Sequence, residues 1–306
     1  MSASVLESTR RASNNCALVK GDYMKRLSVL LVVVLIAFAA QSFAGVVLVA
    51  KTTAQGGKGV EQQNSVAKTW VSGDNGKTMF EESASPLMGK GTYIITKDGG
   101  KTMYLVNPED KTYMKWDLDS IMGMAGGAMK MMNMKFTDPK VEALGEEPDG
   151  LIAGVPTVHY RFRTTYTMSM SFMMMKKTSR MVKEEEIWAA PKLVDAALGI
   201  WLRKTPPKTG NDDLDGLIKA EMGKVQGFPL KRRTVATTTD EKGKVETNTV
   251  TMEVTELQMV PVPDSTFEIP QGYKETSLTG TGEGEESEKS NPLAKMMGGK
   301  NKKTNP

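Results

Sequence analysis

Residues 157–172 read TVHYRFRTTYTMSMSF, and their alternation constrains the fold more than anything else in the chain. Even positions carry Val158, Tyr160, Phe162, Thr164, Tyr166, Met168, Met170 and Phe172. Odd positions carry Thr157, His159, Arg161, Arg163, Thr165, Thr167, Ser169 and Ser171. Successive side chains on a strand point to opposite faces, so one face is apolar and the other polar. At about 3.3 Å per residue the stretch would span about 53 Å. A strand of that length does not lie flat in a small domain. It is either broken by a hairpin or part of a strongly curved sheet, and the curved sheet is the expectation.

Other strand and turn signals surround it. GVVLVAKTT opens as a strand. AKTWVS and KTMFEES flank the turn GDNG, GTYIITK and TMYLVN flank DGGK, and TYMKW follows PEDK. LKRRTVATTT pairs through DEKGK with the alternating TNTVTMEVTEL. Short alternating runs separated by Gly and Asp turns predict antiparallel hairpins, running from Gly45 to about Phe267. The reading is therefore mostly β, an α+β chain built on an antiparallel sheet with one apolar face.

Helical spacing interrupts this pattern in two or three places. DLDSIMGMAGGAMKMM sets Leu118, Ile121, Met122, Ala125, Met129 and Met132 on one stripe, with Asp117 or Asp119 able to cap it. Its Gly123, Gly126 and Gly127 each weaken it by up to about 1 kcal/mol. PKLVDAALGIWLRK begins at Pro191 and has Leu193, Ala197, Ile200 and Trp201 as its stripe. DDLDGLIKAEMGKV is a third candidate, with Asp212 or Asp213 as its N-cap.

Residues 24–44, MKRLSVLLVVVLIAFAAQSFA, read as a secretory signal. Lys25 and Arg26 precede an apolar run, and small residues Ser42 and Ala44 predict cleavage after Ala44. The run is short for a membrane span. Residues 1–23 do not resemble a signal n-region and are expected to be an untranslated or disordered extension. Cys16, the one cysteine, lies upstream of the signal, so disulfides and thiol chemistry are excluded from residues 45–306. The expected location is a bacterial periplasm, with no integral membrane segment after cleavage. The chain has 40 Lys and Arg against 36 Asp and Glu. Residues 1–44 hold five basic and two acidic side chains, leaving 35 against 34 and no electrostatic footprint for nucleic acid. Residues 45–275 form the expected domain. Residues 276–306 are Gly, Ser, Glu and Lys with little to bury, and predict a disordered tail.

Two stretches, GTYIITKDGGKTMYLVNPEDKTYMKWD and PDSTFEIPQGYKE, together with the EIW run before the Pro191 helix, carry a resemblance. The chain resembles the bacterial domain-of-unknown-function family 4412, which is similar in turn to the periplasmic lipoprotein carrier LolA. The resemblance covers roughly residues 45–275. It implies a half-barrel antiparallel sheet with helices covering its concave apolar face. It supplies no catalytic residues.

The chain contains 23 methionines, six of them in residues 122–134 and five in residues 168–175. Three readings compete. The methionines fill an ordinary core. They line a deformable site for an elongated apolar ligand, since Met has three rotatable bonds and a polarizable sulfur. Or they bind Cu(I), since thioethers are soft ligands and Met168 and Met170 would share a strand face. The binding reading assigns Met122, Met129, Met132, Tyr166, Met168, Met170 and Phe172 to the site. The Cu(I) alternative rests on Met168 and Met170, because the helical Met-x-Met pairs diverge.

Other chemistry is weak. His159 is the single histidine and falls on the polar strand face, where a surface role is expected. Asn211, Asp213, Asp215 and Gly216 match calcium-loop positions, but Glu221 sits one residue short of the bidentate position. The runs KEEE and KRR read as solvated strand faces, and Trp188 and Trp201 as core. No nucleophile elbow or zinc motif appears, so the chain is not expected to be an enzyme or to need a cofactor. The leading expectation is a secreted, non-enzymatic protein that binds or carries an apolar small molecule or acyl chain, with another envelope protein as a further partner. The alternatives are a Cu(I)-binding protein and a structural or interaction module without ligand.

Overall fold

The computed structural model describes residues 44–172, 174–193, 208–221 and 225–276. The expected signal segment, the extension before it and the tail after Thr276 lie outside those residues. Twelve strands form one sheet. They are β1 (Ala44–Gln55), β2 (Ser65–Ser72), β3 (Asn75–Ser83), β4 (Tyr93–Thr96), β5 (Thr102–Asn107) and β6 (Thr112–Asp117), then β7 (Lys135–Ile152), β8 (Val155–Phe172), β9 (Met175–Ala190), β10 (Phe228–Asp240), β11 (Val245–Pro261) and β12 (Lys274–Thr276). Among the described residues two α-helices are inserted: α1 (Leu118–Met131) and α2 (Asp212–Glu221).

The order across the sheet is β12-β6-β5-β4-β3-β2-β1-β11-β10-β9-β8-β7. The hairpins β2–β3, β4–β5 and β10–β11 form where the turn residues predict them, and each is antiparallel. β12 instead lies parallel to β6 at one edge. β8 is a single strand from Val155 to Phe172, paired with β9 from Val158↔Ala189 to Phe172↔Met175 without a register shift. The hairpin break is therefore excluded.

Connectivity requires the sheet to curl. β6 lies next to one edge and β7 forms the other. Ten strand spacings of about 4.8 Å would hold them about 48 Å apart in a flat sheet. The chain bridges them with α1 and three further residues. Fourteen helical residues rise about 21 Å, and three extended ones add about 10 Å. The bridge reaches only if the two ends of the sheet approach each other, so α1 is a chord across a curved open sheet.

Both faces carry a core. On one, Val46, Leu48, Val71, Leu230 and Val254 are buried together, and the same face continues to Tyr160, Phe162, Ile187 and Ala189. On the other, Tyr93, Ile95 and Val106 pack around Phe267, which is fully buried. That second core is covered by the chain itself. After β11, residues 262–273 run across seven strand spacings to reach β12, laying Phe267, Ile269 and Tyr273 over Trp70, Met79, Tyr104 and Tyr113. The FEIPQGY stretch is the covering strap of this face.

α1 starts as its sequence dictates, with the Asp117 carboxylate accepting from the Ser120 N–H at 2.7 Å. α2 is capped by Asn211, whose Oδ1 accepts from Leu214 N–H at 3.1 Å, and not by Asp212 or Asp213 as expected. Of the Pro191–Lys204 helix, only a 3-10 turn at Pro191–Leu193 falls among the described residues. β7 was not anticipated. Its Pro139 and Pro148, Gly145 and three register shifts against β8 hide the strand period. They are tolerated because β7 is an edge strand and its outer N–H groups need no partner.

Candidate functional site

β8 positions the site, because its even residues lie on the face that α2 covers. Tyr160 and Phe162 are buried with Ile187 and Ala189, and Val158 and Val225 pack against them. Thr164 follows, almost fully buried. Tyr166, Met168 and Met170 come next and are half-buried. Register sets Met168 opposite Phe136 of β7 and Tyr166 opposite Met181 of β9. The Phe136 and Tyr166 rings meet at 5.9 Å and 55°. The Thr238 hydroxyl donates to the Met181 sulfur at 3.0 Å. Burial raises the Tyr166 phenol above its ordinary pKa, and the Glu221 carboxylate adds to the rise.

α2 is clamped over this face at both ends. At its N-terminal end the Asn211 amide donates to Met134 O at 3.2 Å, and Phe136 N–H donates to Asp213 at 3.3 Å. At its C-terminal end the Glu221 carboxylate accepts from the Thr164 hydroxyl at 2.8 Å and from Lys183 at 2.5 Å. The residues that suggested a calcium loop are occupied with these local bonds. Asp215 accepts from both the backbone N–H and the hydroxyl of Thr209, and those bonds hold its carboxyl below the usual range.

α1 docks on the segment that leads into α2. A Cβ at Gly126 would stand 1.5 Å from the Thr209 carbonyl oxygen, so only glycine permits this approach. Gly126 is the helix's one buried residue. Met122, Met129 and Met132 are half-buried, while Met124 is 56% and Met131 68% exposed. Ser171 N–H of β8 donates to Met132 O at 2.9 Å, tying the end of α1 to the end of β8. Of the residues singled out in the sequence, Tyr166, Met168 and Met170 share one face and Met132 joins them through this bond. By helical rise, Met129 and Met122 lie about 5 Å and 15 Å back along α1. The Phe172 side chain lies outside the described residues, as does Trp201. A groove of about 580 Å³ occurs elsewhere, at the ends of β1, β2 and β3, with Lys51, Thr52, Asn64, Ser65, Glu82 and Ser83 among its lining.

Three features correct the sequence reading. KEEE is not a solvated run. Lys183 and Glu185 alternate onto the same face as Ile187 and Ala189, where the Glu185 side chain is only 11% exposed. Glu185 pairs with Lys183 at 3.7 Å and with Arg232 at 3.5 Å. This charged cluster, with Glu221, separates the buried Tyr160–Phe162 core from the half-buried Tyr166–Met170 stretch. The period-two pattern of residues 183–189 contained the signal, because inward Ile187 and Ala189 put Glu185 and Lys183 inward too.

His159, expected at the surface, is buried. It does lie on the polar face, but Trp188 stacks on it at 4.1 Å and 4°. Glu186 approaches its Nε2 at 3.3 Å, and Glu147 and Asp149 its Nδ1 at 3.9 Å. Trp188 Nε1–H donates to Asp149 at 2.7 Å, and the Lys231 ammonium lies 5.2 Å from the Trp188 ring centre. Trp188 is therefore a platform on the charged face and not a core residue. Around it Arg163–Glu184 and Arg233–Glu186 pair at 2.8 Å.

A family model described as a domain of unknown function, DUF4412, matches residues 43–273. The chain belongs to that family. The match covers nearly the whole sheet, from β1 to the Tyr273 that packs with Phe267. No curated protein matches the chain. Among solved structures, the crystal structure of Mycobacterium tuberculosis lipoprotein LppX is similar at 11% identity and a TM-score of 0.25, over 74% of this chain and 92% of that one. Among the described residues, no helix is long and apolar enough to cross a membrane.

Proposed function

We propose that this DUF4412 protein is a secreted, non-enzymatic binder or carrier of an apolar ligand, an acyl chain or lipid, held against the Tyr166–Met170 stretch beneath α1 and α2. The observation that carries the reading is the loose packing of α1, which meets the end of β8 beside the half-buried Tyr166–Met170 stretch. α1 holds three glycines, buries only Gly126, and leaves its methionines half-buried or exposed. A settled core would bury them. Thioether side chains that keep their rotamer freedom adapt to ligands of variable shape. On this reading the signal is cleaved after Ala44 and the domain works in the periplasm.

Cu(I) capture is the second reading, favoured by one observation: Met168 and Met170 share a face and are both half-buried. The helical pairs support it less, since Met122 and Met129 are half-buried while their partners Met124 and Met131 face solvent.

Native mass spectrometry of protein recovered from a periplasm without detergent tests both. A mass excess that fits an acyl or lipid adduct supports the carrier. A bare mass that takes up no offered fatty acid refutes it, and stoichiometric Cu(I) uptake lost on Met168→Leu/Met170→Leu would then support the metal reading.

A further inference from the structure

We propose that the end of the sheet where α1 meets the β8–β9 hairpin docks on the surface of an anionic lipid bilayer. This goes beyond ligand binding and stands whether or not a ligand is carried.

Large apolar side chains are exposed together at this end. Met174 and Met175 form the hairpin tip and are 102% and 67% exposed. Met131, 68% exposed, ends α1, and Met132 O is bonded to Ser171 N–H just below the tip. Met124 lies seven residues before Met131 and so on the same helical stripe, with Gly127 and Ala128 exposed between them. Beyond its first turn, α1 thus turns an outer face of methionine and small residues to solvent, with Lys130 as its one charge. A monomeric protein rarely leaves such groups clustered without a partner.

The charge pattern selects the partner. Lys130, Lys176 and Lys177 are exposed around the tip, Lys135 lies three residues and Arg180 five residues back from it, and none of the five has an ion-pair partner among the described residues. No Asp or Glu occurs in residues 120–137 or 150–183. The nearest acids on packed elements are Asp213 and Asp240, level with Met168 and Ser179, and Glu241, which follows Asp240 in the β10–β11 turn. Asp213 and Asp240 are thus four residues, or about 13 Å, back from the tip, beyond the screening length of about 8 Å at physiological salt, and Glu241 is followed in its turn by Lys242 and Lys244. Adaptable apolar side chains ringed by unpaired cations match an interface where acyl chains lie beneath anionic headgroups.

The test is flotation of the whole protein, as exported by its expression host, with vesicles of phosphatidylcholine mixed with phosphatidylglycerol and with phosphatidylcholine alone. The proposal expects binding to the mixed vesicles that weakens with salt, and little binding to the neutral ones. Lys176→Gln/Lys177→Gln should weaken binding about 25-fold, at about fivefold per lysine near a charged surface. Met174→Ser/Met175→Ser should weaken it about tenfold or more. All four side chains are exposed, so the variants keep the fold. Absence of binding to mixed vesicles, or variants that bind like the parent, would overturn the proposal. So would a concentration-dependent dimer abolished by Met174→Ser/Met175→Ser without vesicle binding, which would make the patch a contact between copies.

Discussion

Alanine at the three glycines of α1 should give effects of opposite sign. In an open helix interior, Gly→Ala stabilises by about 1 kcal/mol, because glycine loses more backbone entropy on folding. Gly123 and Gly127 have open space where a Cβ would go, so Gly123→Ala and Gly127→Ala should each stabilise α1 by roughly that amount. At Gly126 the new methyl would meet the Thr209 carbonyl oxygen at 1.5 Å, and ordinary contact begins near 3.4 Å. α1 and the 208–210 segment would have to part by about 2 Å. Thr209 resists, since its N–H and hydroxyl are both held by Asp215. Overpacking of this kind costs about 1–3 kcal/mol, more than the helix gains. Gly126→Ala should therefore lie about 1–3 kcal/mol below Gly123→Ala in the free energy that opens α1. Amide hydrogen exchange across residues 118–131 reads that quantity directly, even if the helix opens without the sheet. Equal stabilisation by all three alanines would refute the docking of α1 on Thr209.

Thr164→Val removes a buried hydroxyl that donates to Glu221 while keeping its shape; urea unfolding should show a loss of about 1–2 kcal/mol. Tyr166, raised by burial and by Glu221, resists ionisation in the folded state. Its contribution to stability is present in full below its unfolded pKa of about 10 and is lost as pH rises through the folded value. Tyr166→Phe should flatten part of the fall in urea midpoint in that alkaline range, and an unchanged pH profile would contradict the burial. Asp215, held low by Thr209, gives stability that is present above the unfolded carboxyl pKa of about 3.9 and lost as pH falls through its folded value. Asp215→Asn should speed exchange in α1 at neutral pH and change it little in acid; a difference constant with pH would argue against the carboxylate holding this segment.

The parts of this fold that announce themselves do so through local chemistry. β8 alternates for sixteen residues, Asp117 stands where α1 needs a cap, and Gly73, Gly99 and Gly100 take the positive φ that the hairpin turns require. The curvature follows from β8's length and then, independently, from the short reach of α1. β7 was hidden because an edge strand tolerates prolines and bulges that erase its period. The burial of His159 was invisible for a related reason: the carboxylates and the Trp188 ring that surround it come from β7 and β9, and only register brings them there. Glu185 was legible in principle, but a charged run read as composition loses its alternation. At the site itself, sequence pattern found Tyr166, Met168 and Met170 and the helix that meets them. It did not find that Asn211 and Glu221 pin α2 across β7, β8 and β9, because those bonds join residues 57 and 77 positions apart.

The most direct test of the binding account is photo-crosslinking with a diazirine-bearing fatty acid, followed by peptide mapping of the labelled protein. The account predicts saturable labelling in α1 and in residues 164–172 of β8, competed by unlabelled fatty acid. Labelling confined to the groove at the ends of β1, β2 and β3, or no competable labelling anywhere, would contradict it.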